Sequence, residues 1–199
     1  MQCMTEGCDK EAVIFIVEIR DHKNLPQKPL CERHAVDHLP FCEPNGGRLS
    51  VGTGLCGGLN RFELRFVVFF SEHFFSATIG EGLYFREVSG SKRFCLTVTR
   101  DAARSILLTL ERGVGPRLFT FPAFAKVLEN LGVKLEEAVV HEIDSTEHFF
   151  HAMLKLRQGE RLIDVEVEPS DAFALAIACG APILIADGVF TRAEELGWT

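Results

Sequence analysis

Hydrophobic positions from Arg61 onward switch repeatedly between a period near two and a period near 3.6, and each switch marks a new element. Phe62–Phe70, Gly82–Val88 and Arg93–Val98 are strand-like, with Ser89 and Gly90 supplying a hairpin turn between the last two. Asp101–Glu111 is helix-like, because Ala103, Ile106, Leu107 and Leu110 fall on one stripe. A second helix starts near Thr120, tolerates Pro122 in its first turn, and stops at Gly132 after Leu128 and Leu131. Leu135–Glu142, Glu147–Leu156 and Arg161–Glu168 are three further strands. The helix Ser170–Cys179 is closed by Gly180 and Pro182 before a short strand, Ile183–Ala186. This order predicts an α+β fold with a mixed, mainly antiparallel sheet and packed helices.

The first 40 residues have a different grammar. Ala12–Ile19 is β-like, Asn24–Pro29 is a proline-bearing turn, and the chain from Glu32 to His38 can start a helix. Cys3, Cys8, Cys31 and His34 form a C-x4-C-x22-C-x2-H array across this segment. Zinc takes four thiolate or imidazole ligands in a tetrahedron, and each closely spaced pair can reach one ion from a tight turn. His38 and Cys42 compete for the fourth place, and His34 is preferred because it stands two residues beyond Cys31. Four protein ligands close the coordination shell, so the expected zinc is structural. A segment of about 40 residues buries too little apolar surface to fold dependably alone, and metal binding would supply most of its stability.

Residues 41–60 hold most of a cluster of six glycines and two prolines that begins at Pro40 and lacks periodicity. This stretch reads as a linker between a zinc finger at 1–40 and a main domain at 61–199. A phosphate-cradling loop fits poorly there, since the Gly-Lys-Ser/Thr ending is missing.

Composition narrows the function. Hydrophobic residues make up 47% and charged residues 25%, which suits a globular chain with a sizeable core. Seventeen Phe accompany one Tyr and one Trp, an aromatic content suited to core packing more than to base stacking. The net charge is −7, and no region is basic: residues 1–40 carry 5 Lys/Arg against 7 Asp/Glu, and 61–199 carry 15 against 20. A broad phosphate-neutralising footprint is therefore not expected. No basic-then-apolar leader opens the sequence and no run of about 18 apolar residues occurs, so the expectation is a soluble cytoplasmic protein without a membrane partner. Seven cysteines, an odd number, point to metal ligands and free thiols more than to a disulfide frame.

One strand carries candidate chemistry. Ile163, Val165 and Val167 point one way while Asp164, Glu166 and Glu168 point the other. Ser170 and Asp171 follow at once, so polar groups gather where a strand enters a helix. Such a place suits metal-assisted phosphodiester chemistry, although same-face neighbours stand roughly 6.6 Å apart and only adjacent pairs could share an ion. The same residues also read as a solvated sheet face ending in a helix cap, with Pro169 at the first helical position and Ser170 or Asp171 satisfying open amides. His148 and His151 are an odd number of residues apart, so on a strand they face opposite sides. His73, between two Phe-Phe pairs, suits packing or a subunit contact. Gly-x-Ser-x-Gly is absent, and Cys95 and Cys179 sit in apolar contexts typical of buried, inert thiols.

Two resemblances follow from these residues. Cys3-x-x-x-Gly7-Cys8 with Leu30-Cys31-Glu32-x-His34-Ala35 resembles small treble-clef-like fingers such as that of protein-arginine kinase activators, a likeness that implies zinc. Ile163 to Ala176, ending in Pro169-Ser170-Asp171-Ala172, then Gly180-Ala181-Pro182-Ile183, resembles the signature of the bifunctional nuclease domain family. Leu83-Tyr84-Phe85-Arg86-Glu87-Val88-x-Gly90 is similar to that family's first hairpin, and Gly115 to Thr120 to its Pro-Arg-Pro turn. The resemblance implies a compact α/β domain over 62–193, self-association, and nuclease activity on DNA and RNA. Glu166 stands where the family has Asp, Glu168 where it has Arg, and Phe121-Pro122 where it has His-Asp. Exchanging Arg for Glu removes a fork that could hold phosphate, unless Arg100 or Arg117 substitutes.

The expectation is a nuclease dependent on Mg or Mn, cutting DNA or RNA with Asp164, Glu166, Ser170 and Asp171, and carrying zinc on Cys3, Cys8, Cys31 and His34. The alternative is a noncatalytic adaptor or regulator, a homo-oligomer, whose finger docks a protein or nucleic-acid partner.

Overall fold

A computed structural model describes residues 1–20, 23–24, 26–31, 33–35, 59–70, 81–90, 92–110, 119–144 and 149–195. The glycine-rich stretch up to residue 58, His38, Cys42, His73, Arg117 and His148 lie outside them.

The strands are β1 (Ile14–Arg20), β2 (Lys23–Asn24), β3 (Lys28–Leu30), β4 (Leu59–Phe70), β5 (Glu81–Glu87), β6 (Arg93–Val98), β7 (Val133–Ile143), β8 (Phe150–Gln158), β9 (Arg161–Val167) and β10 (Ile183–Ala186). The helices are α1 (Arg100–Leu110), α2 (Thr120–Asn130), α3 (Pro169–Cys179) and α4 (Asp187–Glu195), with a further helical turn at 33–35. Among the described residues no helix is long and apolar enough to cross a membrane.

Among the described residues all the strand pairings are antiparallel except one. The main sheet runs β6-β5-β4-β10-β7-β8-β9, and only β10 with β7 is parallel. The fold is thus α+β with a mainly antiparallel sheet, as the pattern predicts. β4 is long enough to divide one edge between two partners: residues 59–62 pair with β10, and 66–70 pair with β1. The cysteine-bearing N-terminal segment is therefore built into the sheet by strand pairing as well as by chain connection.

The core lies between the sheet and the helices. α3 buries Ala172, Phe173, Ala174, Leu175 and Ala176, so apolar residues occupy nearly its whole circumference, as expected of a helix covered by neighbours on several sides. It packs against α1, α2, β7 and β8. Phe173 meets Phe85 at a ring-centroid distance of 4.7 Å, and Phe94 makes edge contacts with Phe150 and Phe190. Five of the seventeen phenylalanines meet here. Pro169 opens α3, where its missing N–H costs nothing, and Gly180 closes it at φ 67°, a left-handed conformation that side-chain-bearing residues avoid.

Two partly buried ion pairs pin the helices. Arg100, at the start of α1, donates from Nε to the fully buried Glu81 at 2.6 Å. Lys92 pairs with Asp187 at the start of α4 and holds its ammonium 5.0 Å from the centre of the Phe190 ring.

The structure departs from the sequence reading at several places. β4 begins at Leu59, inside the stretch read as linker, because its first residues find a partner in β10. β8 begins at Phe150. β3 occupies the end of the stretch read as a turn, where pairing with β1 overrides the proline. α4 has no counterpart in the reading: β10 passes directly into it, and its buried Val189, Phe190 and Ala193 are too few to advertise a period.

Candidate metal centre and acidic cleft

The N-terminal cluster is assembled by two tight turns and a short sheet. Gly7, at φ 75°, allows the first turn, in which the Cys8 amide donates to the Thr5 carbonyl at 3.0 Å. The Met4 amide donates to the Pro29 carbonyl at 2.9 Å and draws that turn to the end of β3. Cys31 follows β3, and its carbonyl accepts the amides of His34 and Ala35, which aims the imidazole back at the thiols.

The ligand atoms of Cys3, Cys8, Cys31 and His34 all lie within 4.8 Å of one another. His34 Nδ1 is 3.4 Å from Cys3 Sγ and 3.3 Å from Cys31 Sγ, and Cys8 Sγ is 3.9 Å from Cys31 Sγ. A tetrahedron with zinc–sulfur bonds of about 2.3 Å and zinc–nitrogen bonds of about 2.0 Å has S···S edges of about 3.8 Å and S···N edges of about 3.5 Å. The four residues therefore fit a tetrahedral ion and could hold one. Cys3 and Cys31 are buried, and Ile16, Leu30, Ala35 and Tyr84 pack around them. Burial opposes ionisation of Cys3, but hydrogen bonds involving Thr5, Cys31 and His34 outweigh it and bring the thiol down to about 5.

A second polar region lies on β8 and β9. The alternation expected of β9 holds in part: Asp164 and Glu166 are exposed on one side and Ile163 and Val167 are half-buried on the other, but Val165 between them is 37% exposed. Asp164 accepts from Lys155 Nζ at 2.5 Å, and Glu166 Oε1 is 2.9 Å from His151 Nδ1. Further along β8, Arg157 reaches across to Glu136 of β7 at 3.0 Å, and Lys134 of β7 is 3.1 Å from the same carboxylate; Arg157, then Lys134, hold that carboxyl down to about 2.

The end of this face opens into a cleft of about 350 Å³ lined by Asp144, Phe149, Phe150, His151, Glu166, Val167 and Glu168. Of the four catalytic candidates read from the sequence, only Glu166 lines it. Asp164 is engaged with Lys155, Ser170 is half-buried in the first turn of α3, and Asp171 is exposed beside it. Neither caps α3 through its side chain. The Asp171 and Ala172 amides instead donate to the Glu168 carbonyl. Among the described residues the cysteine–histidine group alone brings three or more candidate ligands together for one ion.

The sequence reading places His151 only on the opposite side from His148 and does not mark Asp144, because their importance comes from register: His151 lies beside β9, and Asp144 directly follows the neighbouring strand β7. His141 adds to this corner. It occupies an irregularity in β7 between Val140 and Glu142, its ring lies 6.4 Å from that of His151, and its buried Nδ1 meets no hydrogen-bond partner among the described residues. Arg100, suggested as a phosphate fork, is engaged by Glu81. Cys179 is exposed at the end of α3, not buried, because that helix terminates at the surface; desolvation nevertheless raises its thiol pKa.

The hydrogen bond to Glu166, opposed by desolvation, raises the pKa of His151 above its ordinary 6.5. The sign follows: the pair stabilises the fold fully below that ordinary value, and the contribution is lost as pH rises through the raised one. The side chains are 37% and 64% exposed, so water screens the pair and the effect on stability is small. The expected result is an imidazole proton titration of His151 above that of a free histidine, which Glu166→Gln lowers. An unchanged midpoint would remove Glu166 as the cause.

These features define a class: an α+β sheet domain with helices on its buried face, a histidine–carboxylate cleft at the end of two strands, and a cysteine–histidine cluster joined to the sheet edge. The chain belongs to the bifunctional nuclease domain family, whose model matches residues 83–196, more than half of the sequence and the whole lining of the cleft. It is also similar to two uncharacterized proteins of Mycobacterium tuberculosis, MT1877 of strain CDC 1551 / Oshkosh and Rv1829 of strain ATCC 25618 / H37Rv. It is 30% identical to each over 114 residues, covering 57% of this chain and 66% of theirs. The matched region is thus just under two thirds of the relatives' length.

Proposed function

We propose that the protein hydrolyses phosphodiester bonds of DNA or RNA in the cleft beside β9, and that Cys3, Cys8, Cys31 and His34 hold a structural zinc ion. The observation that carries the first part is His151 bonded through Nδ1 to Glu166 inside the cleft of a bifunctional nuclease domain. A carboxylate on Nδ1 orients the ring and leaves Nε2 as the atom for proton transfer. The same bond raises the pKa of His151 and so favours the imidazolium, the form that can give a proton to a leaving oxygen.

The cleft also holds Asp144, Glu166 and Glu168, an acidic lining that opposes a phosphate. Mg²⁺ and Mn²⁺ suit this arrangement, since such ions commonly take only one or two carboxylates and complete their shells with water and substrate phosphate. An ion on Glu166 or Glu168 would supply the charge neutralisation that the protein lacks there. This reading ranks Glu166 ahead of Asp164, Ser170 and Asp171. Reduced thiols at the cluster suit a reducing, cytoplasmic location.

The test is cleavage of labelled single- and double-stranded DNA and RNA with Mg²⁺, Mn²⁺ or EDTA, beside Glu166→Ala and His151→Ala. The expected outcome is cleavage that EDTA stops and either substitution lowers by about 100-fold or more. No cleavage by folded, zinc-loaded protein under any condition would favour the second reading, a noncatalytic oligomeric adaptor that docks a partner through its N-terminal cluster. That reading is favoured by the pairing of the nearby cations Lys155 and Arg157 with carboxylates instead of leaving them to phosphate.

A further inference from the structure

We infer that the cleft takes an unpaired nucleobase on the face of Phe149, so that its ligand is a single-stranded nucleic acid and not a duplex. This rests on the reading of the cleft as a nucleic-acid site and adds the strandedness of the substrate and the residue that selects it.

Phe149 is 63% exposed, whereas Phe85, Phe94, Phe173 and Phe190 are buried. Its neighbour Phe150 turns inward to an edge contact with Phe94 at 5.3 Å, which fixes the strand start and sends Phe149 to the other side. The Asp144 amide donates to the Phe149 carbonyl at 2.8 Å, so the ring is carried on a backbone bonded to the end of β7. Phe149 and His151 are two residues apart and line the same cleft. Period two places them on one face, roughly 6.6 Å apart along the strand, which is within the span of a single nucleotide.

A phenyl ring offers a base a stacking surface without hydrogen-bond readout, so such a contact is tolerant of sequence. Bases inside a duplex are stacked on one another and cannot reach it without being flipped out. The acidic lining makes an uncharged contact the natural source of affinity, and it predicts a shallow dependence of binding on salt.

The experiment measures fluorescence anisotropy of a labelled 12-nucleotide DNA strand, its RNA equivalent, an abasic version and a duplex. The full-length, zinc-loaded protein is used without added Mg²⁺ or Mn²⁺, and cleavage is measured separately with those ions. Phe149→Ala is expected to weaken single-strand binding about tenfold, Phe149→Trp to retain it, and the abasic strand to bind wild type as weakly as the intact strand binds Phe149→Ala. Truncating an exposed ring leaves the fold intact, which circular dichroism checks. Equal binding of abasic and intact strands, binding indifferent to Phe149→Ala, a duplex bound as tightly as a single strand, or no binding at all would each overturn the inference. Phe149-dependent binding without cleavage would sustain it while sinking the hydrolase reading. Cleavage with a KM unchanged by Phe149→Ala would do the reverse.

Discussion

Replacing Cys31 with serine is expected to abolish stoichiometric zinc binding and to release the N-terminal segment from the sheet. Cys31 is 3% exposed and its sulfur lies within reach of both His34 Nδ1 and Cys8 Sγ, so its loss removes one corner of the tetrahedron. Structural zinc sites in small modules carry apparent binding free energies of about 10–16 kcal/mol, far more than a five-residue apolar cluster can replace. That cluster is Cys3, Ile16, Leu30, Cys31 and Ala35, and Ile16 belongs to β1. Metal analysis of wild type should give one zinc per chain and of Cys31→Ser none. Hydrogen exchange should accelerate at residues 14–18, the part of β1 paired with β4. A variant that kept its zinc and its protection would remove the cluster as the metal site.

The second large effect is expected at Phe173. The residue has no exposed surface, meets Phe85 in a tilted arrangement at 4.7 Å and Phe94 edge-on at 6.5 Å, near the centre of the helix–sheet interface. Phe173→Ala removes the ring from a site walled by other rings that cannot all shift to fill it, and the cost of such truncations is about 3–5 kcal/mol. For a chain of this size each kcal/mol lowers the melting temperature by about 2–4 °C, so a fall of about 10 °C is expected in a thermal scan. A fall of under about 2 °C would mean that the site collapses around the gap.

What the sequence disclosed followed the range of the interaction concerned. β6 and β10 were readable to the residue, since Arg93–Val98 and Ile183–Ala186 are short apolar runs between turn formers. α3 was readable because proline and glycine bound it. The cysteine–histidine array was readable because tight turns keep ligand pairs close in sequence and in space. The cleft was not, because it depends on which strand lies beside which. Nothing near His151 in the chain names Glu166 as its partner, and only the β8–β9 register brings them to 2.9 Å. Similarly, the acidic alternation of β9 was correctly placed on one face, yet cross-strand pairing took Asp164 to Lys155 and left Glu166 to the cleft. Phe149 ran against composition: a chain so rich in phenylalanine suggests core packing, and only the inward commitment of Phe150 shows that its neighbour faces out.

The position of β10 bears on the order in which the molecule can be made. It comes last of the described strands along the chain, yet it sits in the middle of the main sheet, between β4 and β7. Until Ile183–Ala186 leaves the ribosome, the hairpins built on β4–β6 and on β7–β9 have no common strand. Each meanwhile presents a bare edge able to pair with another chain. Closure must wait for contacts between residues far apart in sequence, such as Ala186 with Leu59, which is the kind of topology that folds slowly and is vulnerable to aggregation during synthesis.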